Sequence, residues 1–134
     1  AEAQPARTPA PRAAHVLLID DDSQVLSALV ALLEVSGHSV SAAVSGPAAL
    51  KIYAPGRYDL VLANVGMAGM NGWEFAERLR AIDMTVPMLF ITGWGLREED
   101  HARMLALKIQ RCLFKPIRPE ELDAAIQSAL TASL

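Results

Sequence analysis

The hydrophobic positions of this chain gather into five short runs, separated by longer segments of mixed polarity. Read along the chain, the runs are HVLLI, HSVSAAV, DLVLA, VPMLFIT and QRCLF. Short apolar runs rich in β-branched and large aliphatic residues are typical of strands that are buried on both faces. The pattern therefore predicts five strands.

The segments that follow the runs carry apolar residues at helical spacing. In the first segment these residues are Val25, Leu26, Leu29, Leu32 and Leu33. Gly37 ends this first pattern. The other helical segments are GPAALKIYA, GWEFAERLRAI, REEDHARMLAL and RPEELDAAIQSAL. Because strands that alternate with helices imply a parallel sheet covered on both faces, we expect an α/β fold with a doubly wound, five-stranded parallel sheet.

The N-terminal stretch AEAQPARTPAPRAA differs in composition from the rest of the chain. Alanine, proline and arginine dominate it, which suits a tail or a linker rather than a packed element. The remaining chain is long enough for one ordinary domain. We therefore expect a tail over residues 1–14 and one domain over residues 15–134.

Composition and charge narrow the classes of function. Of the 134 residues, 52% are apolar and 20% are charged, as in globular domains, and the net charge is −3. This mild charge offers no basic surface for nucleic acid, and no apolar run is long enough to span a bilayer. A single cysteine, Cys112, excludes an internal disulfide. We therefore expect a cytoplasmic protein that binds neither nucleic acid nor a membrane.

Polar residues at the ends of the predicted strands form the candidate site. Asp20 and Asp21 follow the first strand, Asn64 the third, Thr92 the fourth and Lys115 the fifth. The carboxyl ends of parallel strands meet at one edge of the sheet, where such folds bind ligands. Two carboxylates with nearby backbone oxygens suit Mg²⁺. A hydroxyl and an ammonium group can bind an oxyanion, and with a metal they suit the stabilisation of phosphoryl transfer.

Four motifs make the chain resemble a known family. They are VLLIDDD, DLVLANVGMAGMNG, FITG and FKP. In this order and at these separations they resemble the receiver domain of two-component response regulators, over residues 16 to about 131. The resemblance implies a flavodoxin-like fold of five βα units and a role in signal transduction. It also implies that the domain is a binding module and not an enzyme, unless the intact parent chain is a hybrid histidine kinase.

The resemblance implies a metal site and a phosphoryl site. Asp20 and Asp21 resemble the acidic pair that holds Mg²⁺, and Gly66 falls where a backbone carbonyl contributes to the metal. Asn64 falls where the family has the aspartate that accepts the phosphoryl group.

Two further residues belong to the phosphoryl site that the resemblance implies. Thr92 resembles the switch hydroxyl that moves to meet the phosphoryl group, and Lys115 resembles the lysine that pairs with it. Lys115 and Pro116 resemble a dipeptide that is usually joined by a cis bond.

An asparagine at position 64 changes the chemistry of the family. A carboxylate can form an acyl phosphate, whereas a neutral amide is not a useful nucleophile. The amide also removes one negative charge from the metal site. We therefore expect that Asn64 is not phosphorylated and that Mg²⁺ binding, if retained, is weakened.

Two other departures from the family pattern bear on the origin of Asn64. Ala68 stands where the loop usually has proline, and Cys112 stands where the fifth strand usually has an aromatic switch residue. Together they favour a naturally atypical receiver. The intact acidic pair and lysine favour the alternative, in which an aspartate was replaced by engineering.

Some residues have plainer interpretations. Gly69 and Gly72 are expected to adopt positive φ. The three histidines, His15, His38 and His101, are expected at the surface or at an edge. Trp94 lies in a loop near the site, where a partner surface and ordinary loop packing explain it equally well.

Three hypotheses about function follow from these observations. The first is an atypical receiver that binds a histidine kinase or another signalling protein through the face of the fourth helix, fifth strand and fifth helix, with dimerisation left open. The second is a phosphoacceptor receiver of a phosphorelay whose aspartate was replaced by Asn64 through engineering, either a single-domain regulator or the C-terminal receiver of a hybrid histidine kinase. The third is a flavodoxin-like small-molecule binder or enzyme, which would be supported by a glycine-rich phosphate loop after the first strand. The chain has DDDSQ there, which disfavours the third hypothesis.

Overall fold

The computed structural model describes residues 13–132, so residues 1–12 of the predicted tail lie outside the described residues. In chain order the elements are β1 (His15–Ile19), α1 (Ser23–Val35), β2 (Ser39–Ala43), α2 (Gly46–Ile52), β3 (Leu60–Asn64), α3 (Gly72–Ile82), β4 (Met88–Thr92), α4 (Glu98–Ala106), β5 (Ile109–Phe114) and α5 (Pro119–Ala132). Every predicted strand and helix is found, in the predicted order. Asn64 and Thr92 are the last residues of their strands rather than the first residues after them.

The five strands form one parallel sheet in the order β2-β1-β3-β4-β5. The doubly wound α/β fold is therefore confirmed. β2 lies on one side of β1, and β3, β4 and β5 follow on the other side. The direction in which strands are added therefore reverses between β1 and β3. In sheets of this type a crevice opens at that point, beyond the carboxyl ends of the strands.

Apolar layers cover both faces of the sheet, because successive residues of a strand point to opposite faces. In β1, Leu17 and Ile19 pack into the cluster that α2, α3 and α4 cover. Val16 and Leu18 pack into the cluster that α1 and α5 cover. Every residue of β3 and β4 is buried, which explains the continuous apolar runs in the sequence. This double core fixes the positions of the strand ends.

Side-chain caps set the start of two helices beside the crevice. Asp22 accepts hydrogen bonds from the backbone N–H groups of Gln24 and Val25 and so caps α1. Asn71 and Glu74 form a capping box at the start of α3. Both loops that follow β1 and β3 therefore end at defined residues.

The two glycines of the loop before α3 differ in their roles. Gly69 has a positive φ of 76°, as predicted. The same prediction is wrong for Gly72, which is not among the residues with positive φ in the described chain. A Cβ atom at Gly72 would lie 2.7 Å from the carbonyl oxygen of Asn64 and 2.7 Å from the Cα of Val65. Close approach of the backbone, and not its conformation, excludes a side chain at Gly72.

The prediction that all three histidines lie at the surface or at an edge is wrong for His38. His38 is buried, its Nδ1 accepts a hydrogen bond from the backbone N–H of Ala14 at 3.0 Å, and its Nε2 lies 3.9 Å from the Asp123 carboxylate. The ring therefore lies between the residue before β1, which it bonds, and α5, to which its Nε2 makes no hydrogen bond. His101 is exposed and His15 is half-buried.

Candidate functional site

The structure gathers the predicted site residues at the carboxyl edge of the sheet. Asp20 directly follows β1, Asn64 ends β3, and Lys115 directly follows β5. Because the strands are parallel, Asn64 pairs with Ile91 of β4, and Thr92 is the next residue. The edge therefore brings together carboxylates, an amide, a hydroxyl and an ammonium group.

Asp20 lies at the centre of this group of side chains. It is fully buried, and its Oδ2 accepts a hydrogen bond from Nζ of Lys115 at 3.2 Å. Its Oδ1 accepts hydrogen bonds from the backbone N–H of Asp22 at 3.0 Å and from Nδ2 of Asn64 at 3.3 Å. A buried carboxylate is costly unless it is paired and hydrogen-bonded, and these three donors meet that need. The bond between Lys115 and Pro116 is cis, as the resemblance implied.

The buried side chain of Asn64 joins two hydrogen-bond acceptors. Its Nδ2 donates to the carboxylate of Asp20 and to the backbone carbonyl of Gly66, each at 3.3 Å. Since both neighbours accept hydrogen bonds, only the NH₂ end of the amide can face them. Asp20, Asn64 and Gly66 therefore form one hydrogen-bonded unit.

Asp21 lies beside this unit, and its hydrogen bond goes elsewhere. Its side chain is at the surface, and Oδ2 accepts a hydrogen bond from the backbone N–H of Ala68 at 2.9 Å. This bond ties the loop after β1 to the loop after β3. The sequence singled out Ala68 only as a departure from the family pattern. No local signal predicts the bond, because its two residues are far apart in the chain.

Thr92 is buried next to the unit but is held by the backbone around it. Its hydroxyl oxygen accepts a hydrogen bond from the N–H of Trp94 at 3.3 Å. Its carbonyl accepts a hydrogen bond from the N–H of Lys115 at 2.8 Å. The structure therefore places Thr92 beside Lys115 through main-chain pairing, with its hydroxyl engaged by the loop after β4.

The indole of Trp94 lies over Gly66. A Cβ atom at Gly66 would lie 2.2 Å from Cη2 of the indole, so the ring packs where a larger residue would place its side chain. Trp94 is nevertheless 62% exposed. The ring therefore packs on the loop, which is one of the two alternatives raised by the sequence, and its other face is open to solvent.

Cys112 lies half-buried in β5 and packs against the core cluster on the α4 side. Burial, with a smaller contribution from the nearby Asp100 carboxylate, raises the pKa of the Cys112 thiol to about 11. The thiol therefore stays protonated at neutral pH, and a protonated thiol is a poor nucleophile. It is also much smaller than an aromatic ring.

Within residues 13–132 no group of three or more histidine, cysteine, aspartate or glutamate side chains is placed to hold a metal ion. A cation at this edge would depend on Asp20, Asp21 and backbone oxygens. The hydrogen bonds that these carboxylates already accept would have to rearrange around it. In the same part of the chain, no helix combines the length and the apolar character that crossing a membrane requires.

Comparison with known proteins identifies the family. Residues 16–127 match the family described as the response regulator receiver domain. The match extends over most of the chain and includes all four motifs. The chain therefore belongs to the receiver domain family.

Individual relatives support the same conclusion. The chain is 32% identical over 117 residues to the probable transcriptional regulator ycf27 of Cyanidium caldarium, covering 87% of this chain and 46% of that protein. It is 34% identical over 127 residues to the virulence sensor protein BvgS of Bordetella bronchiseptica, covering 87% of this chain and 10% of that protein. The chain thus spans less than half the length of these two relatives. The solved structure of the chemotaxis protein CheY4 of Vibrio cholerae has a TM-score of 0.81 and 28% identity, covering 89% of this chain and 100% of that one.

Membership of the family has general consequences. Receiver domains are signalling modules of two-component systems and are generally not enzymes. They interact with histidine kinases and other signalling proteins. They also typically bind Mg²⁺.

Proposed function

We propose that this chain is an atypical receiver domain that is not phosphorylated at residue 64 and acts through protein–protein contact. The observation that supports this most is the amide at the end of β3, where the family has its phosphoacceptor aspartate. An acyl phosphate forms on a carboxylate oxygen, and the neutral amide of Asn64 offers no comparable nucleophile. Its nitrogen is also already directed at Asp20 and Gly66.

The other groups that would meet a phosphoryl group are engaged within the protein. Lys115 is paired with Asp20, and the Thr92 hydroxyl accepts from the backbone of Trp94. Cys112 has no ring that could move together with Thr92. We propose that Thr92 and Lys115 support the structure of the edge in this chain rather than operate a phosphorylation switch.

Weakened Mg²⁺ binding is part of the same proposal. The candidate ligands are the carboxylates of Asp20 and Asp21 and the carbonyl of Gly66. One of the two negative charges is offset by Lys115, and Asn64 adds none. Since affinity for Mg²⁺ depends on anionic oxygen ligands, this set is a poorer site than one with a third carboxylate.

The partner surface that we propose is the face of α4, β5 and α5. Leu105 of α4 is 81% exposed, and Phe114 at the end of β5, an edge strand, is 46% exposed. Trp94, in the loop before α4, adds an exposed aromatic ring. Large apolar side chains left at the surface favour a protein contact. A histidine kinase or another cytoplasmic signalling protein is the proposed partner, and a second copy of the chain is the alternative occupant.

A second candidate is supported by the acidic pair and the lysine. Asp20, Asp21 and Lys115 all stand at the carboxyl edge, as a working phosphoacceptor site would require. In that case the chain is a phosphorelay receiver, a single-domain regulator or part of a hybrid histidine kinase, with an engineered Asn64. The similarity to a short part of BvgS, a much longer sensor protein, is compatible with this alternative.

Intact mass spectrometry after incubation with acetyl phosphate and Mg²⁺ tests the proposal. The unaltered chain should gain no phosphoryl group. The Asn64→Asp variant tests whether the remaining site residues support phosphorylation of a carboxylate at position 64. Asn71→Asp is the matched control, because it introduces the same change in the same loop and keeps the cap of α3.

The outcomes separate the two candidates. A stable phosphoryl adduct on residue 64 of the unaltered chain would contradict the proposal. An adduct on Asn64→Asp alone would favour the phosphorelay receiver. If neither the unaltered chain nor Asn64→Asp gains a phosphoryl group, the atypical binding module is the better description.

A further inference from the structure

We infer that hydrogen-bond donors of this chain take the structural place of a divalent cation at the acidic pair, so that the edge holds its arrangement without a metal. The donors are the amide of Asn64, the backbone N–H of Ala68 and the ammonium group of Lys115. The inference rests on the proposed function, because it takes residue 64 to stand at the phosphoacceptor position.

The first donor is the NH₂ group of Asn64. It lies between Oδ1 of Asp20 and the carbonyl oxygen of Gly66, at 3.3 Å from each. With an aspartate at position 64, three oxygen atoms would converge there without a proton between them. Such a cluster of oxygens is held together by a cation. The amide supplies two N–H groups at the same point and removes one of the negative charges.

The second donor is the backbone N–H of Ala68, which lies 2.9 Å from the Asp21 carboxylate. Proline, the usual residue at this position in the family, has no N–H and cannot make this bond. The two departures at positions 64 and 68 therefore have one common effect. Each adds an N–H donor to one member of the acidic pair.

The third donor is the ammonium group of Lys115, which lies 3.2 Å from Oδ2 of Asp20. Asp20 has no exposed surface, so bulk water cannot hydrate its charge. Between them, Lys115, Asn64 and the N–H of Asp22 satisfy both oxygens of this carboxylate. A buried acid that is already paired and hydrogen-bonded does not require a metal for its stability.

These bonds also connect the loops that a shared cation would connect. The Asp20–Asn64 and Asp21–Ala68 bonds both run from the loop after β1 to β3 or its following loop. The relative position of the two loops is therefore fixed by protein groups alone. The expected consequence is a site whose stability is the same with and without Mg²⁺.

Thermal unfolding in EDTA and in millimolar Mg²⁺ tests this inference with three proteins. The unaltered chain should show the same Tm in both buffers. Asn64→Asp should be less stable in EDTA and should regain roughly 5 °C in Mg²⁺, because a bound cation would then hold the converging oxygens. Asn71→Asp, which adds the same charge in the same loop at the half-buried cap of α3, should behave like the unaltered chain.

Two results would overturn the inference. One is a rise in Tm of the unaltered chain with Mg²⁺ that equals the rise of Asn64→Asp. The other is an Asn64→Asp variant that matches the unaltered chain in EDTA and does not respond to Mg²⁺. The first result would also contradict the weakened Mg²⁺ binding of the proposed function. Neither result bears on whether residue 64 is phosphorylated, which the mass measurement decides by itself.

Two NMR measurements decide the question if Asn64→Asp does not fold in either buffer. Paramagnetic Mn²⁺ at equimolar concentration should leave the amide signals of Asp20, Asp21 and Gly66 in the unaltered chain sharp, and selective broadening would contradict the inference.

In EDTA the N–H of Ala68 should be protected from hydrogen exchange. Asp21→Ala should accelerate its exchange about tenfold, since a bond to a charged acceptor is lost; an unchanged rate would remove Ala68 from the set of donors.

Discussion

The amino and carboxyl edges of the sheet use their buried polar groups in different ways. At the amino edge, Arg80 donates from Nε to the carbonyl of Leu107 at 2.7 Å, from Nη1 to that of Asp83 at 3.1 Å and from Nη2 to that of Lys108 at 3.0 Å. Lys108 has a positive φ of 57°, so the guanidinium group holds a turn that a non-glycine residue rarely adopts. One side chain thus satisfies the main chain of two helix ends.

At the carboxyl edge, polar side chains mainly form hydrogen bonds with one another. Asp20, Asn64 and Lys115 come from three different strand ends and are joined at 3.2–3.3 Å. Their bonds are longer than the shortest Arg80 bond, and each depends on the placement of another side chain. One edge of this sheet therefore stabilises turns, whereas the other edge assembles a site.

The largest expected effect comes from removing the amino-edge arginine. Arg80→Met should lower the free energy of unfolding by about 3 kcal/mol, because three partly buried carbonyls lose their donor while relief from burying the charge offsets only part of the loss. Urea unfolding measures the change. Arg78→Met, the same substitution at an exposed position of α3, is the control and should change it little. Equal effects of the two variants would show that the Arg80 bonds are not what stabilises this edge.

A smaller effect is expected from a methyl group at the carboxyl edge. Gly72→Ala should cost about 2 kcal/mol, because its Cβ would meet the backbone of Asn64 and Val65, which cannot move aside easily. Gly95→Ala is the control, since a Cβ at Gly95 would have no neighbour within 4 Å. Urea unfolding of both variants measures the difference. A cost of Gly72→Ala no greater than that of Gly95→Ala would contradict the close approach of the two backbones.

The smallest effect concerns a pH-dependent link at the amino edge. The Tyr53 hydroxyl donates to the Asp83 carboxylate at 2.5 Å, and Thr85 donates to its other oxygen. Burial alone would raise the pKa of Asp83, but these hydrogen bonds outweigh it and hold the pKa below its ordinary value. Tyr53→Phe should therefore cost about 1 kcal/mol at neutral pH.

The sign of the pH dependence follows from the lowered pKa of Asp83. A depressed carboxyl pKa contributes stability that is fully present above the unfolded-state value and is lost as the pH falls through the folded-state value. The difference between the unaltered chain and Tyr53→Phe should therefore shrink as the pH falls below about 4. Unfolding at a series of pH values measures it, with Tyr58→Phe, on the neighbouring stacked ring, as the control. A difference that stays constant to low pH would show that the charge of Asp83 plays no part.

The elements of the fold were predictable from the sequence because they depend on local periodicity. Apolar runs gave the five strands and helical spacing gave the five helices, and α3 has the same bounds as the segment GWEFAERLRAI. The candidate site was also largely predictable. Once the strands were known to be parallel, the residues at their carboxyl ends had to share one edge.

The predictions were wrong for residues whose environment is formed by distant parts of the chain. A side chain at Gly72 is excluded because the end of β3 passes close to its backbone. His38 is buried because residues before β1 and in α5 lie against its ring. Neither residue carries a local signal of this. The hydrogen bond between Asp21 and Ala68 could not be predicted for the same reason.

The class of fold, the receiver motifs and the amide at position 64 follow from the amino-acid sequence alone, since the chemistry of an amide is the same in any fold. The direction of that amide and its hydrogen-bond partners depend on the three-dimensional arrangement. Those facts depend on Asp20 and Gly66 lying within hydrogen-bond distance of Asn64, and the strand order that places β1 beside β3 sets that distance. Periodicity is a property of neighbours in the chain, whereas a hydrogen-bonded site is a property of neighbours in space.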